Sequence, residues 1–164
     1  MNIEILYVSI YSYFLGSIPF GLIITKIFLN KDLRKIGSGN IGATNVLRTE
    51  KKSLGVLTLI FDGLKGYLSV IITFSYLPEF IYFSALLCFL GHIFSIWLKF
   101  KGGKGVAVYF GILFSFSINL GVLFLLTWLI VLYFSKYSSL SSLISSLIIF
   151  IYSIIFKNLN ESIF

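Results

Sequence analysis

The sequence predicts an all-α, polytopic membrane helix bundle with about six spans or partial spans. Hydrophobic residues make up 58% of the 164 residues and charged residues only 12%, and the mean hydropathy is +1.00. A soluble domain of this length has too little interior to bury that much apolar surface, so apolar residues must face lipid. The apolar runs are long and do not alternate with polar residues, which favours helices over the short strands of a membrane barrel.

Six apolar segments divide the chain into predicted spans. The first is expected to kink at Pro19 and Gly21, and we interpret Gly16 and Gly21 as residues that let helices pack closely. The fourth is too short to cross a bilayer alone. No internal repeat or flexible linker is visible, so residues 1–164 are predicted to form a single membrane domain. The segments cover residues of about 3–29, 54–76, 79–98, 106–117, 120–135 and 140–156.

Lysine and arginine are concentrated in the connections between these segments, and their distribution predicts the orientation. If these connections share one side of the membrane, almost nothing basic remains on the other side. Positively charged connections favour the cytoplasm, which puts the N-terminus outside. The residues concerned are Lys26, Lys31, Arg34, Lys35, Arg48, Lys51, Lys52, Lys99, Lys101, Lys104 and Lys136. Topology signalling alone is the favoured interpretation for Lys26, Lys31, Lys51 and Lys52.

The segment GSGNIGATN, residues 37–45, begins with the G-x-G-x-x-G pattern of dinucleotide-binding turns, but its context excludes that function. The pattern requires a preceding strand and a βαβ unit, whereas the charged run NKDLRKI precedes it here. The acidic residue at a suitable distance, Asp62, lies inside an apolar segment. The glycines therefore require another explanation.

Two glycine-rich segments, residues 37–48 and 91–107, are predicted to bind phosphate groups. Glycine can adopt positive φ, which we expect at Gly39 and Gly103, so that N–H groups converge on an anion in front of a helix N-terminus. Arg48 adds a planar fork, and Lys104, between two glycines, adds a point charge. The simpler alternative is that these glycines serve only turns and packing. The predicted phosphate-binding residues here are Gly37, Gly39, Asn40, Gly42, Thr44, Asn45, Gly102, Gly103 and Gly105, with Ser38 as a further donor.

Three ionisable residues lie within or at the end of apolar segments. Asp62 and Lys65 are three residues apart on one helix face, and we predict an ion pair that either supports the site or holds helices together. His92, the only histidine, is either a general base or phosphate donor, or a satisfied histidine at a helix end. One cysteine, one histidine and six scattered carboxylates form no recognisable metal site, so no metal or other cofactor is expected.

These segments resemble the bacterial acyl-phosphate:glycerol-3-phosphate acyltransferase family of integral membrane enzymes. The similarity is carried by GSIPFG (Gly16–Gly21), GSGNIGATNVLR (Gly37–Arg48), DGLKG (Asp62–Gly66) and GHIFSIWLKFKGGKGVA (Gly91–Ala107). The family fold is a bundle of seven helices with its site on the cytoplasmic side of the cell membrane. The resemblance implies transfer of a fatty acyl group from acyl phosphate to the 1-hydroxyl of glycerol 3-phosphate. The products are lysophosphatidic acid and phosphate, in the first step of phospholipid synthesis.

By this resemblance, the catalytic residues are Ser38, Arg48, His92 and Lys104. Arg48 and Lys104 would neutralise charge on the leaving phosphate, and a substrate phosphate oxygen would accept the hydroxyl proton. Ser139 and Ser142, in a weaker family segment, would also approach the phosphate of the acyl donor. The expected partners are acyl phosphate, glycerol 3-phosphate and membrane lipid, with no nucleic acid.

The sequence departs from the family pattern in places. Ser95 stands where the family usually has proline, and Val108 where it often has threonine; both changes are tolerable. The family's seventh helix, with its motif of histidine, asparagine and glutamate, is not found before the final FKNLNESIF. With six crossings this tail is expected outside, so Asn160 and Glu161 are not assigned to the site. The chain is expected either to be a much weaker catalyst than full-length relatives or to be a shortened version of a longer natural sequence. A catalytically impaired relative acting as a binding or scaffold protein, or a small anion transporter with broken helices at mid-membrane, stays as an alternative.

Overall fold

The structure, a computed structural model, describes the backbone of residues 3–161 and the side chains of residues 3–155. Within that range the chain forms helices and no strands, which confirms the all-α prediction. The helices are α1 (Ile3–Ser17), α2 (Phe20–Leu29), α3 (Ala43–Val46), α4 (Lys52–Tyr76), α5 (Ile81–Ile93), α6 (Val106–Phe116), α7 (Ile118–Ser135) and α8 (Ser138–Glu161). Short 3-10 turns lie at Leu33–Lys35, Pro78–Phe80 and Ile96–Leu98.

Five segments of the described chain are long and apolar enough to cross a membrane, and α6 is a sixth, shorter apolar helix. At 11 residues, α6 is about 16 Å long, roughly half of a ~30 Å hydrocarbon core. The prediction of about six spans or partial spans is therefore confirmed. The five long segments are Ile3–Leu29, Lys52–Tyr76, Pro78–Leu98, Ile118–Ser135 and Ser138–Ile155.

The first span is interrupted where the sequence predicts a kink. Helix α1 ends at Ser17 and α2 begins at Phe20, because Pro19 has no N–H to continue the ladder and its ring clashes with the preceding turn. The break leaves carbonyls without their helical donors, and buried side chains supply replacements. Lys65 Nζ donates to the Ile18 carbonyl at 2.7 Å, and Ser95 Oγ donates to the Ser17 carbonyl at 2.6 Å.

The helices divide into two compact units, Met1–Phe116 and Ser117–Phe164, so a single domain stays a prediction. In the first unit α1 packs on α5, and α4 packs on α6. Gly16 faces the Cys88 carbonyl so closely that a side chain would collide with it, and Gly21 faces the Ile41 carbonyl in the same way. The prediction that Gly16 and Gly21 are packing residues is confirmed.

A cluster of buried hydroxyl groups joins three helices of the first unit. Ser84 Oγ on α5 lies 2.8 Å from Ser12 Oγ on α1 and 2.8 Å from Ser69 Oγ on α4. Tyr11 contacts Thr73 in the same cluster and donates to the Ser69 carbonyl at 2.7 Å. Hydroxyl pairs of this kind link helices in lipid, where an unpaired polar group finds no water.

The second unit consists of the helices α7 and α8. Gly121 and Phe124 are buried on α7, and Ser141 and Ser145 are buried on α8. Each of these serines donates its hydroxyl to the carbonyl four residues earlier, at 2.9 and 2.8 Å. The polar stripe on α8 thus satisfies its hydrogen bonds within its own helix.

Candidate functional site

The two glycine-rich segments lie at the same end of the first unit. We call residues 37–48 the first glycine loop and residues 99–107 the second glycine loop. One buried apolar cluster connects them, because it contains side chains of the first loop together with Leu98, which directly precedes the second loop. Its members are Ile24, Leu33, Ile41, Val46, Leu54 and Leu98.

The first glycine loop has the backbone that the sequence predicts for an anion site. Gly37 and Gly39 have φ of +53° and +71°, values that favour glycine. The Gly39 N–H closes a turn onto the Ile36 carbonyl at 2.9 Å. The helix that follows, α3, has only four residues, so it adds little dipole to the loop.

The polar side chains of the first loop differ in exposure. Ser38 and Thr44 are exposed, and Asn40 is half-buried. Asn40 Oδ1 accepts the Gly42 N–H at 3.0 Å, which closes a local turn of the kind that asparagine favours. Ser38 and Thr44 thus lie at the surface, where a ligand has access to them.

Asn45 is instead buried beneath the loop, with 2% of its surface exposed. Its Oδ1 accepts the Ser38 N–H at 3.1 Å. Its Nδ2 faces the carbonyls of Leu33, Ile36 and Asn40 at 3.2, 2.9 and 2.8 Å. The amide therefore bonds through both its oxygen and its nitrogen to the backbone of the loop and of the residues that precede it.

The residues that flank the first loop are basic, and the two carboxylates among them are already paired. Arg34 donates to both oxygens of Asp32, at 3.0 and 2.7 Å, and these bonds lower the pKa of Asp32 to about 2. Lys31 donates to Glu50 at 2.5 Å and lowers the pKa of that carboxyl. Among the described side chains, Arg48 has no carboxylate partner, so its charge is available to an anion.

Arg48 lies over the first glycine of the loop. A Cβ on Gly37 would lie 2.5 Å from Asn45 Oδ1, 3.1 Å from Arg48 Cδ and 3.3 Å from Arg48 Nη1. The Arg48 side chain and the Asn45 amide thus both lie on the side of Gly37 that a Cβ would occupy. The Arg48 N–H also donates to the Asn45 carbonyl at 3.1 Å.

The second glycine loop is held by backbone bonds to the end of α5. The Gly102 N–H donates to the Ile93 carbonyl at 2.8 Å, and the Gly103 N–H donates to the His92 carbonyl at 3.1 Å. Gly103 is not at positive φ, so that prediction is wrong. The physical requirement at Gly103 is space, because a Cβ would collide with Nε2 of the His92 ring.

The second loop continues into the N-terminus of α6. Gly105 has φ of +78°, and its carbonyl accepts the Tyr109 N–H at 2.8 Å as α6 begins. The first N–H groups of a helix have no intrahelical acceptor, and in the described chain the N–H groups of Lys104 and Gly105 have none either. Lys104 is exposed and has no carboxylate partner in that part of the chain.

The three ionisable residues of the apolar segments form one buried cluster. Lys65 Nζ lies 3.0 Å from Asp62 Oδ1, so the predicted ion pair is present. His92 Nδ1 lies 3.8 Å from the same oxygen, beyond hydrogen-bond reach, and finds no other partner among the described atoms. The interpretation of His92 as a satisfied helix-end histidine therefore does not fit. No group of three or more potential metal ligands occurs in the described residues.

Ser139 and Ser142 belong to the second unit. Ser142 Oγ donates to the Ser139 carbonyl at 2.9 Å, and the predicted role of both residues at a phosphate stays a prediction. The side chains of Asn160 and Glu161 lie outside the described residues.

The model of the family described as glycerol-3-phosphate acyltransferase matches residues 6–164. The chain belongs to this family. A glycerol-3-phosphate acyltransferase of Pelagibacter ubique (strain HTCC1062) is 57% identical over 162 residues, which cover 98% of this chain and 84% of that relative. One from Mesorhizobium japonicum is 46% identical over 149 residues, which cover 91% of this chain and 76% of the relative.

Solved structures of the glycerol-3-phosphate acyltransferase family share the fold. The glycerol 3-phosphate form of PlsY, an integral membrane glycerol 3-phosphate acyltransferase, superimposes with a TM-score of 0.86 at 37% identity, over 92% of this chain and 76% of that chain. The lysophosphatidic acid form of PlsY gives 0.84 at 35% identity over the same shares. The chain is therefore an integral membrane enzyme of this family, and the scaffold and transporter alternatives receive no support.

Two features of the site were not predicted from the sequence. One is the hydrogen bond from Lys65 to the broken first span. A lysine inside an apolar helix, together with a proline in another, is a signal that could have suggested it. The other is the burial of Asn45, which a row of polar letters in a glycine-rich loop does not distinguish from exposure.

Proposed function

We propose that this chain transfers a fatty acyl group from acyl phosphate to the 1-hydroxyl of glycerol 3-phosphate. The products are lysophosphatidic acid and inorganic phosphate. The protein belongs to the glycerol-3-phosphate acyltransferase family. The proposal adds the identity of the acyl donor and of the products. The alkoxy C–O bond forms at the acyl carbonyl carbon, and the acyl–phosphate C–O bond breaks with its electron pair leaving on phosphate.

The observation that carries the proposal is the pairing of two glycine loops at one end of the first unit. Each loop carries a cation without a carboxylate partner in the described chain, Arg48 in one and Lys104 in the other. Both substrates of the proposed reaction carry phosphate, so a site with two anion-binding loops suits them.

The roles of the loop residues follow from what each has available. Arg48 and Lys104 stabilise negative charge on the leaving phosphate as it develops. Ser38 Oγ and the N–H groups of Lys104 and Gly105 donate to phosphate oxygens. A phosphate oxygen of the substrate accepts the proton of the attacking hydroxyl.

His92 supports this site rather than accepting the proton. Its side chain is 4% exposed, and Nε2 is covered by Gly103. A base must come within hydrogen-bond reach of the proton that it removes. The second glycine loop instead packs against the His92 ring.

We further propose that both loops face the cytoplasm in the bacterial inner membrane, with the N-terminus outside. The support is the concentration of lysine and arginine in these connections. Single cysteines at the exposed positions Ser53 and Lys101, in a Cys88→Ser background, should resist an impermeant thiol reagent in intact cells. Strong labelling of either cysteine before lysis would contradict this orientation.

The test of the function is acyl transfer by the purified protein in detergent. The reaction contains acyl phosphate and labelled glycerol 3-phosphate, and product is measured as labelled lysophosphatidic acid. We expect acyl phosphate to serve as donor and acyl-CoA to fail. Transfer from acyl-CoA but not from acyl phosphate would contradict the proposed donor.

A further inference from the structure

The first glycine loop contains a buried amide whose contacts do not match the role that the sequence suggests for it. Asn45 is predicted to bind phosphate, yet it is 2% exposed and its oxygen and nitrogen both bond to loop backbone. A ligand oxygen would have to displace one of these bonds to reach the amide. A different role is needed for Asn45.

The orientation of the Asn45 amide is fixed by chemistry. Nδ2 faces three carbonyl oxygens, and Oδ1 faces one N–H. The flipped orientation would place an oxygen against those carbonyls and a donor against the N–H. Only an amide supplies donors and an acceptor at these positions at once, so neither aspartate nor a hydroxyl residue replaces asparagine here.

The bonds of Asn45 connect every part of the loop. The Leu33 and Ile36 carbonyls lie before the glycines, the Ser38 N–H lies between Gly37 and Gly39, and the Asn40 carbonyl lies beyond them. The amide thus fixes the path of the chain on both sides of the residues at positive φ. Without it, the Ser38 N–H and the Asn40 carbonyl would lack a partner, which is unfavourable in a folded protein. The Leu33 and Ile36 carbonyls would keep only the turn bonds from the Ile36 and Gly39 N–H groups.

The same residue supports the cation of the loop. Asn45 Oδ1 and the stem and Nη1 of Arg48 lie together on the side of Gly37 that a Cβ would occupy. The Asn45 carbonyl accepts the Arg48 N–H at 3.1 Å. Arg48 is therefore seated on a surface whose shape depends on the Asn45 amide.

We infer that Asn45 is a positioning residue, which holds the first glycine loop in the form that seats Arg48 against Gly37, and that it is not a phosphate ligand. This inference rests on the proposed function for its kinetic consequence only. The loop geometry itself can be tested without any turnover.

The geometric test is hydrogen exchange of the purified full chain in detergent without substrate. In the wild-type protein the Ser38 and Gly39 amides should exchange slowly, because both are hydrogen-bonded within the loop. In Asn45→Asp they should exchange at least about tenfold faster, since the loss of its donors opens the loop. If Asn45 were only a phosphate ligand, the substitution would leave exchange unchanged without anion, and that result would overturn the inference. If Asn45→Asp does not insert, Asn45→Ser carries the same measurement.

The kinetic test compares aspartate substitutions that add the same charge. Asn45→Asp should lower kcat/KM by about 100-fold or more, as expected for loss of two buried hydrogen bonds. Asn40→Asp keeps the oxygen that accepts the Gly42 N–H. It should lower kcat/KM by less than about tenfold, through charge repulsion alone. Asn30→Asp, at an exposed helix end that tolerates left-handed backbone, should leave activity unchanged. Equal losses at positions 45 and 40 would overturn the inference.

A double-mutant cycle separates positioning from direct contact. In an Arg48→Ala background, Asn45→Asp should lower kcat/KM by a factor at least about tenfold smaller than in the wild type. The reason is that the group which Asn45 positions is already gone. A direct phosphate contact by Asn45 would give additive losses instead and would overturn the inference. If the wild-type protein lacks acyl transfer, the proposed function fails, while the exchange measurement still decides the role of Asn45.

Discussion

The two glycine loops both combine glycines with basic residues, but their shapes are held in different ways. The first loop is organised by one buried side chain, the amide of Asn45, which bonds to backbone groups of the loop. The hydrogen bonds that hold the second loop are all backbone bonds, to the carbonyls of His92 and Ile93. The loop also packs against the His92 ring. One depends on side-chain chemistry and the other on the position of a helix end.

The glycines of the two loops are accordingly needed for different reasons. At Gly39, φ is +71° and the nearest atom to an added Cβ is the Arg34 carbonyl oxygen at 3.3 Å, so backbone conformation is the main constraint. At Gly103 the backbone is ordinary, but an added Cβ would collide with His92. A glycine in a sequence motif therefore indicates a constraint without saying whether it is conformational or steric.

The largest expected effect tests what the loops share, which is an unpaired cation. Arg48→Ala and Lys104→Ala should each cost about 2–4 kcal/mol of transition-state stabilisation, by comparison with the loss of an oxyanion donor. That corresponds to about 30- to 900-fold in kcat/KM. Arg34→Ala and Lys52→Ala are the matched controls, because Arg34 is paired with Asp32 and Lys52 begins α4. Losses in the controls as large as those at Arg48 or Lys104 would indicate a general effect of surface charge.

The next effect tests the steric constraint of the second loop. Gly103→Ala should destabilise the protein by about 1–3 kcal/mol, as overpacking does, and should lower acyl transfer. Gly42→Ala should change stability by less than about 0.5 kcal/mol, because Gly42 has φ of −80° and the nearest atom to its Cβ is 3.5 Å away. Thermal unfolding in detergent measures both. Equal destabilisation by the two variants would show that the His92 ring does not constrain Gly103.

A smaller effect tests the conformational constraint of the first loop. Gly39→Val should lower the free energy of unfolding by about 1–2 kcal/mol, because a β-branched residue is disfavoured at positive φ. Gly39→Asn should cost less, since asparagine tolerates the left-handed region. The two variants are compared by thermal unfolding. If valine were tolerated as well as asparagine, space or ligand contact rather than φ would explain this glycine.

The smallest effect concerns the paired charges of Asp32 and Arg34, which precede the first loop. The pKa of Asp32 is lowered to about 2 by the hydrogen bonds of Arg34, so the stabilisation from this pair is present above the unfolded pKa, about 4, and is lost only as pH falls through about 2. Asp32→Asn should therefore leave the shape of the pH–rate profile between about pH 5 and 9 unchanged. An ionisation that is lost or shifted within that window would show that Asp32 takes part in the reaction.

The spans and the basic loops could be predicted from the sequence because lipid imposes strong rules on composition. Long apolar runs must be helical, and the break at Pro19 follows from the missing N–H and ring clash. The pairing of Asp62 with Lys65 could be predicted because residues three apart share a helix face. These inferences depend on local sequence alone.

The features that could not be predicted depend on contacts between distant residues. Lys65 bonds to a carbonyl 47 positions earlier, and only the packing of α4 against the first span creates that contact. Gly103 was expected to need positive φ, whereas its constraint comes from the ring of His92 at the end of another helix. Asn45 has the polar side chain of a typical ligand residue. It is buried together with Val46 and Leu33, and its amide bonds to the backbone of the loop.

Hydrogen exchange with and without glycerol 3-phosphate tests most directly the central claim that the two loops together form one phosphate-binding site. The purified protein in detergent is labelled for short times, and the exchange of residues 37–48 is compared with that of residues 102–107. We predict that saturating glycerol 3-phosphate slows exchange in both segments, and that Arg48→Ala reduces this protection in both. Protection confined to one loop, or found only elsewhere in the chain, would contradict a shared site.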